Sequence, residues 1–205
     1  MSQRRTPWNK GLQQGQMKPF TLEEVGAIKS HLRSEGRLRD LCLFAIGFDS
    51  LLRGADLVQL KVCDVTDTMG NVRETFAIRQ KKTGNGTVMV LTDETRKITA
   101  EWISASGKVS DDYLFTGLHK NKMGHIGTDN YRVLVKRWAG MIGLNPQFYS
   151  SHSIRRTKAS LAYKKSGHDI RIVQFMLGHK NISSTAEYLG VTQEEALEFA
   201  KKIKF

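Results

Sequence analysis

A chain of 205 residues with 40% hydrophobic and 25% charged residues holds enough apolar material for one folded body and is too apolar to be disordered along most of its length. Lysine and arginine number 32 against 20 acids, a formal charge of +12 that favours a polyanionic partner, nucleic acid first, over an acidic small molecule. No apolar run approaches a membrane span and no apolar signal segment opens the chain; Cys42 and Cys63 lack metal-type spacing and lie among apolar residues, so two buried free thiols in a reducing cytoplasm are expected.

Residues 1–20 carry four cations and no acid, with Pro7, Gly11, Gly15 and Pro19 among polar residues, and read as a flexible basic arm. Trp8, between Arg5 and Lys10, is placed to stack on a base, but a solvated tail is the plainer reading. At Thr21 the pattern changes. Thr21-Leu22-Glu23-Glu24 forms a capping box for a helix to about His31, and Leu38, Leu41, Cys42, Ala45, Phe48 and Leu52 put a second helix over Arg37–Leu52. Glu74–Gln80 and Thr87–Leu91 are short β-favouring runs joined by KKTGNG, whose Gly84, Asn85 and Gly86 supply turn chemistry; they predict a hairpin and leave a third, earlier strand open. Helical spacing then returns over Asp93–Ser104, Thr128–Ile142, Ser153–Ser166, Ile170–Met176 and Thr192–Ile203. The expected class is mostly α with a small antiparallel sheet, and the loop Gly107–Gly127 is the least legible stretch.

Several residues in this framework carry chemistry. His152-Ser153-Ile154-Arg155 sets a histidine three residues before an arginine at a helix start, where both can face one side of the first turn. His179 follows Gly178 at a helix end, Tyr188 lies nine residues further on in a short helix, Arg53 stands at a helix boundary in SLLRGADLVQL, and Lys82 sits at the hairpin tip. Taken singly these have plain readings: a surface ion-pair arginine, a capping histidine, solvated lysines, a packing tyrosine. Together they form a set without a carboxylate pair, a metal triad or a Ser-His-Asp arrangement. Such a set suits in-line attack on a phosphodiester, with arginine forks on the non-bridging oxygens and proton carriers at the entering and leaving oxygens.

In order and spacing, residues 21–205 resemble the catalytic domain of the tyrosine recombinases, the phage-integrase family. The family's first arginine falls on Arg53, with Asp56 at the acidic position that follows; its hairpin lysine falls on Lys82 of KKTG, its HxxR box on His152 and Arg155, its LGH on His179 and its nucleophile on Tyr188. The resemblance implies an enzyme in which Tyr188 forms a 3′-phosphotyrosyl bond and releases a 5′-hydroxyl that later attacks the partner strand. Arg53 and Arg155 would clamp the phosphate, His152 exchange the tyrosyl proton, His179 donate to a non-bridging oxygen and Lys82 protonate the leaving oxygen. Lys81, next to Lys82, is the alternative acid.

It further implies double-stranded DNA as partner, a synaptic tetramer on DNA, a monomer when free, and no metal or nucleotide cofactor, since bond energy is conserved. The cations Lys81, Arg156, Lys158, Lys164 and Lys165 are expected to track DNA phosphates. The family's larger members carry an N-terminal core-binding domain, and residues 1–20 are too short to be one, so the expectation is a catalytic domain without it, either a naturally short recombinase or a piece of a longer integrase. At the other end Ala196, Phe199, Ala200 and Ile203 form an apolar stripe that either packs on its own core or, across residues 191–205, docks on a neighbouring protomer. Two other functions fit the same residues: a type IB topoisomerase-like nicking and rejoining enzyme, and a DNA-binding regulator on this scaffold.

Overall fold

The structure is a computed structural model that describes residues 17–81, 84, 86–117, 124–190 and 201. The capping box forms as its sequence requires: the Glu24 N–H donates to the Thr21 hydroxyl at 3.1 Å and the Thr21 N–H to the Glu24 carboxylate at 2.8 Å, opening helix α1, Leu22–Ser34. Helix α2, Leu38–Ser50, is the axis of the molecule. Ten of its thirteen residues are buried, because α1, α5 (Asp93–Ser106) and α7 (Ser151–Lys165) pack around it. Gly47 on α2 allows one close approach: a methyl group there would meet the Tyr131 hydroxyl of α6 (Thr128–Met141) at 2.8 Å and Leu57 at 3.0 Å.

Two one-turn helices, α3 (Gly54–Leu57) and α4 (Val62–Val65), precede the hairpin of β1 (Thr75–Arg79) and β2 (Gly86–Val90). The strands pair antiparallel with Phe76 opposite Met89; both face the core, while Ala77, Val88 and Val90 face out. The chain then runs through α5, α6, a 3₁₀ turn at Pro146–Phe148 and α7, and ends its described part in α8 (Ile170–Leu177) and α9 (Ile182–Leu189). One large cluster centred on Leu43, Phe44, Ile46, Leu57, Val135 and Trp138 fills the body, and a second, small one of Leu51, Ala159, Val173 and Leu177 lies under α8.

The expected class therefore holds, mostly helical with a two-stranded antiparallel sheet among the described residues. In place of a third strand, an isolated bridge pairs Thr66 with Val72. The arm ends earlier than its composition suggested. Phe20 is buried and stacks on Tyr149 with ring centroids 4.5 Å apart, and its N–H donates to the Thr157 hydroxyl at 2.8 Å, so residues 17–20 belong to the folded body. Cys42 is buried, but Cys63 is only half-buried, on the outer side of α4. Helix α7 starts two residues before the expected Ser153 because Ser150 caps it. The expected helix Thr192–Ile203, the arm up to residue 16 and Lys82 lie outside the described residues, apart from Lys201 in a helical turn.

Candidate active site

Four segments converge on Tyr188. The first is the exit of α2, where Leu51 adopts a left-handed backbone (φ 55°) and inserts its side chain into the small cluster beneath α8. A non-glycine residue in this conformation is held there by its surroundings. The reversal turns the chain so that Arg53 caps α3 and its guanidinium reaches β1's end, where Nη1 donates to the Gln80 side-chain oxygen. Asp56, one turn on and buried, accepts the Lys81 N–H at 3.0 Å. The hairpin is thereby tied to α3 through both side chain and backbone.

The second segment is the start of α7. The Ser150 hydroxyl accepts the His152 N–H at 3.2 Å, and the Ser153 hydroxyl accepts the Ser150 N–H at 3.0 Å, which fixes His152 in the first turn. Its side chain is exposed and, with Tyr188, Arg156 and Glu187, lines a cavity of about 580 Å³. Arg155 instead points inward, 4% exposed, and donates from Nη2 to the Leu177 carbonyl at 2.8 Å. Its Nε and that of Arg156 are buried N–H donors with no acceptor among the described residues.

The third and fourth segments are the turn after α8 and helix α9. Gly178 takes φ 63° at the end of α8, and Gln174 donates from its amide to the His179 and Lys180 carbonyls, both at 3.1 Å. His179 Nδ1 lies 3.1 Å from the hydroxyl of Thr185, a residue with no exposed surface. In the tautomer where Nδ1 accepts, Nε2 carries the hydrogen. The Tyr188 ring meets His179 edge-on at 5.8 Å, and the guanidinium carbons of Arg155 and Arg156 stand 5.6 and 5.9 Å from its centroid. Its hydroxyl donates to the His152 carbonyl at 3.4 Å.

Electrostatics follow from this crowding. Burial pushes the Tyr188 phenol up to about 12, against the opposing pull of Arg155, Arg156 and Arg53. Burial, then the charges of Arg155 and Arg53, push His179 down to about 4. Burial also lowers Arg155 to about 10, while Tyr188 and Asp56 support its charge and Arg53 opposes it. Near neutral pH the site is thus a neutral phenol and a neutral imidazole among charged guanidinium groups. That is a receptor for an anion with a hydroxyl nucleophile beside it.

Of the residues singled out from the sequence, Arg155, His179 and Tyr188 share one cluster, joined by the His152 backbone. Arg53 is close enough to bias the ionisation of Arg155, His179 and Tyr188. Among the more peripheral cations, Arg156 lies against Tyr188, and Lys81, Lys164 and Lys165 are exposed. Lys158 turns inward instead: it pairs with the buried Asp49 at 3.1 Å and sits over the Phe48 ring, because Asp49 would otherwise be a buried carboxylate facing only neutral donors, the Thr92 N–H and the Thr92 and Thr95 hydroxyls. Sequence reasoning missed Gln80 and Thr185, polar residues whose only signal was proximity to KKTG and to Tyr188. Among the described residues no three His, Cys, Asp or Glu side chains are placed to hold a metal ion, and no helix is long and apolar enough to cross a membrane.

The body is thus a helical one that presents a tyrosine hydroxyl beside a cluster of guanidinium groups. Residues 18–195 match the phage integrase family, and the chain belongs to it. The tyrosine recombinase XerA of Pyrococcus horikoshii is 30% identical over 190 residues, covering 91% of this chain and 62% of the relative. The probable integrase/recombinase YoeC of Bacillus subtilis is 26% identical over 175 residues, covering 85% of this chain and 89% of the relative. In three dimensions the chain resembles the crystal structure of XerA recombinase (TM-score 0.70, 18% identity, 93% of this chain and 67% of that one). It also resembles XerH site-specific recombinase bound to palindromic difH substrate in a post-cleavage complex (TM-score 0.68, 22% identity, 92% and 54%). Both establish the fold. The chain spans 62%, 54% and 48% of the length of three curated tyrosine recombinases that it matches.

Proposed function

We propose that this chain is a site-specific DNA recombinase that cleaves and rejoins double-stranded DNA through a covalent tyrosyl linkage. The observation that carries the reading is the position of the Tyr188 phenol, within 6 Å of the Arg155, Arg156 and His179 groups. Its family membership and the names of its relatives, tyrosine recombinases, support the same reading.

In the proposed reaction the Tyr188 oxygen attacks the scissile phosphorus as the bond to the 5′-oxygen breaks, leaving a 3′-phosphotyrosyl bond and a 5′-hydroxyl. In the second step a 5′-hydroxyl attacks that phosphorus and the tyrosine recovers its proton. One phosphoester replaces another in each step, so no nucleotide is consumed. Arg53 and Arg155 neutralise the non-bridging oxygens as charge develops, and the buried Arg155 Nε is a donor in reserve for that charge. A phenol held up at about 12 gives little phenolate near neutral pH, so its proton must leave as the new bond forms. His152, at the cavity that Tyr188 also lines, is the proposed acceptor. His179, neutral, donates from Nε2 to a non-bridging oxygen. Lys82 is the proposed acid for the leaving 5′-oxygen. Exposed Lys81, Lys164 and Lys165, together with Arg156, bind flanking phosphates. Two protomers per duplex and a tetramer across two duplexes complete the reading, with the protein cytoplasmic and monomeric when free, and with residues 191–205 as the segment that docks between protomers.

The test is a set of nicked suicide duplexes tiling the DNA around the protein's own gene. Tyr188→Phe should bind the cleaved duplex as tightly as the unmodified chain yet give no denaturant-resistant adduct. An undiminished adduct removes Tyr188 from the role, and binding without any adduct from the unmodified chain identifies a DNA-binding regulator instead.

A further inference from the structure

We propose that Gln80 is a positioning residue of this site, one side-chain amide that fixes the Arg53 guanidinium and seats the turn bearing His179; the inference rests on the recombinase reading above. Gln80 directly follows β1 and is 2% exposed. Its oxygen accepts from Arg53 Nη1, and its Nε2 donates to the Thr87 hydroxyl on β2 at 2.9 Å. The amide therefore has one orientation, since reversing it would set its N–H groups against those of arginine.

The same amide meets the His179 turn. A methyl group on Gly178 would lie 2.7 Å from Gln80 Nε2 and 3.1 Å from the Thr87 hydroxyl, so the bare glycine backbone rests directly on the Gln80–Thr87 pair. Gly178 immediately precedes His179 and follows Leu177, whose carbonyl holds Arg155. The backbone beyond Gln80 is pinned as well, through the Lys81 N–H on Asp56. Arg53, Arg155 and His179 are thus referred to one another through a single buried amide. An arginine left to choose among its rotamers would meet the phosphate less often and less squarely.

Gln80→Leu keeps the volume and removes the hydrogen bonds to Arg53 and Thr87. On the duplex that the unmodified chain cleaves, the variant should form adduct about 10- to 100-fold more slowly, while its affinity for that duplex changes by less than about threefold, since phosphate contacts elsewhere dominate binding. A second substrate separates positioning from a merely structural role: the same duplex with a methylphosphonate at the scissile position. It carries no charge for Arg53 to neutralise, so the penalty should shrink to about threefold or less, because misaligning a guanidinium costs little where there is no anion to meet. Likewise Arg53→Ala/Gln80→Leu should be slower than Arg53→Ala by a smaller factor than Gln80→Leu costs in the unmodified chain, the remainder being the seating of the His179 turn. If Gln80→Leu fails to fold, Thr87→Val, which leaves the amide in place without its anchor, is measured on both linkages and should show a smaller penalty that likewise shrinks on the neutral one. Equal penalties on the two linkages, additive effects with Arg53→Ala, or no penalty at all overturn the proposal and return Gln80 to the hairpin's own fold. Absence of an adduct from the unmodified chain on every duplex overturns the recombinase reading itself, and this inference with it.

Discussion

Helix α2 and the pair α8–α9 stand at opposite ends of the packing range in this molecule. Ten of thirteen residues in α2 are buried, whereas α8 buries only Val173 and Leu177, and α9 only Thr185. Yet α9 and the turn before it carry Tyr188 and His179, while α2 carries no group of the site. What holds the outer pair is mainly polar: Asp169 capping α8, Gln174 on two carbonyls of the turn, Arg155 on Leu177, and Thr185 on His179. Tyr188 therefore rides on helices with little apolar anchoring, which is where local opening costs least. The proposed attack of Tyr188 on a phosphorus, and its later release, fit such a mounting better than a core helix would.

The comparison breaks first at its strong end. Leu43, fully buried on α2, should cost about 2–5 kcal/mol of global stability when cut to Ala, from lost transfer energy and an incompletely collapsed cavity. Denaturant melts would show the midpoint move without a change in slope. In native-state hydrogen exchange the α2 amides should lose protection by that amount, while the α8–α9 amides, already opening locally, should change less. Equal losses in both would mean that the outer helices open only with the whole protein.

This contrast also explains what could be read from the sequence. Elements with a strong period or a cap were legible: α1 from its capping box, α2 from Leu38, Leu41, Cys42 and Ala45, the hairpin from TGNG. Within the site, types and spacings singled out Arg155, His179 and Tyr188, which the fold brings into one cluster. Hidden were features that arise only from tertiary contact. The one-turn helices α3 and α4 are too short to show a period. Phe20 looked like the end of an arm because its partners, Tyr149 and Thr157, lie far along the chain. Lys158 read as a DNA contact until Asp49 stood beside it, and Gln80 gave no sign of its bond to Arg53.

Gly47→Ala sharpens the strong end from another side. Helix propensity alone favours alanine by about 1 kcal/mol. Here the added methyl would meet the Tyr131 hydroxyl at 2.8 Å and Leu57 at 3.0 Å, inside a contact that α6 and α3 make with α2. Overpacking of this kind costs about 1–3 kcal/mol, so the net change should be destabilising by up to about 2 kcal/mol. A thermal melt that rises instead would show that α6 can yield at Tyr131. At the weak end Val173→Ala removes two buried carbons, about 1–2 kcal/mol, and the loss should fall on the α8–α9 amides and on proteolysis within those helices rather than on the global melt.

The smallest effect concerns pH, and it isolates the outer pair. His179 is held down at about 4 by burial and by Arg155 and Arg53, against an ordinary value of 6.5. As pH falls from about 6.5 towards 4, the opened or unfolded chain takes up a proton there that the closed site refuses, so stability present at pH 7 is lost on acidification. Solvent at this half-exposed ring should keep the loss to no more than about 1 kcal/mol. Asp49, whose carboxyl is raised by burial but held lower overall by the Thr92 and Thr95 hydrogen bonds and Lys158, exerts its own effect only at more acidic pH. Between pH 7 and pH 5, therefore, protection of the α8–α9 amides should fall in the unmodified chain and stay nearly level in His179→Gln, while α2 amides remain unchanged in both. An equal decline in the two proteins would show that the imidazole is not held neutral by burial and its guanidinium neighbours. A decline in α2 to match would show that the turn bearing His179 opens only together with the core.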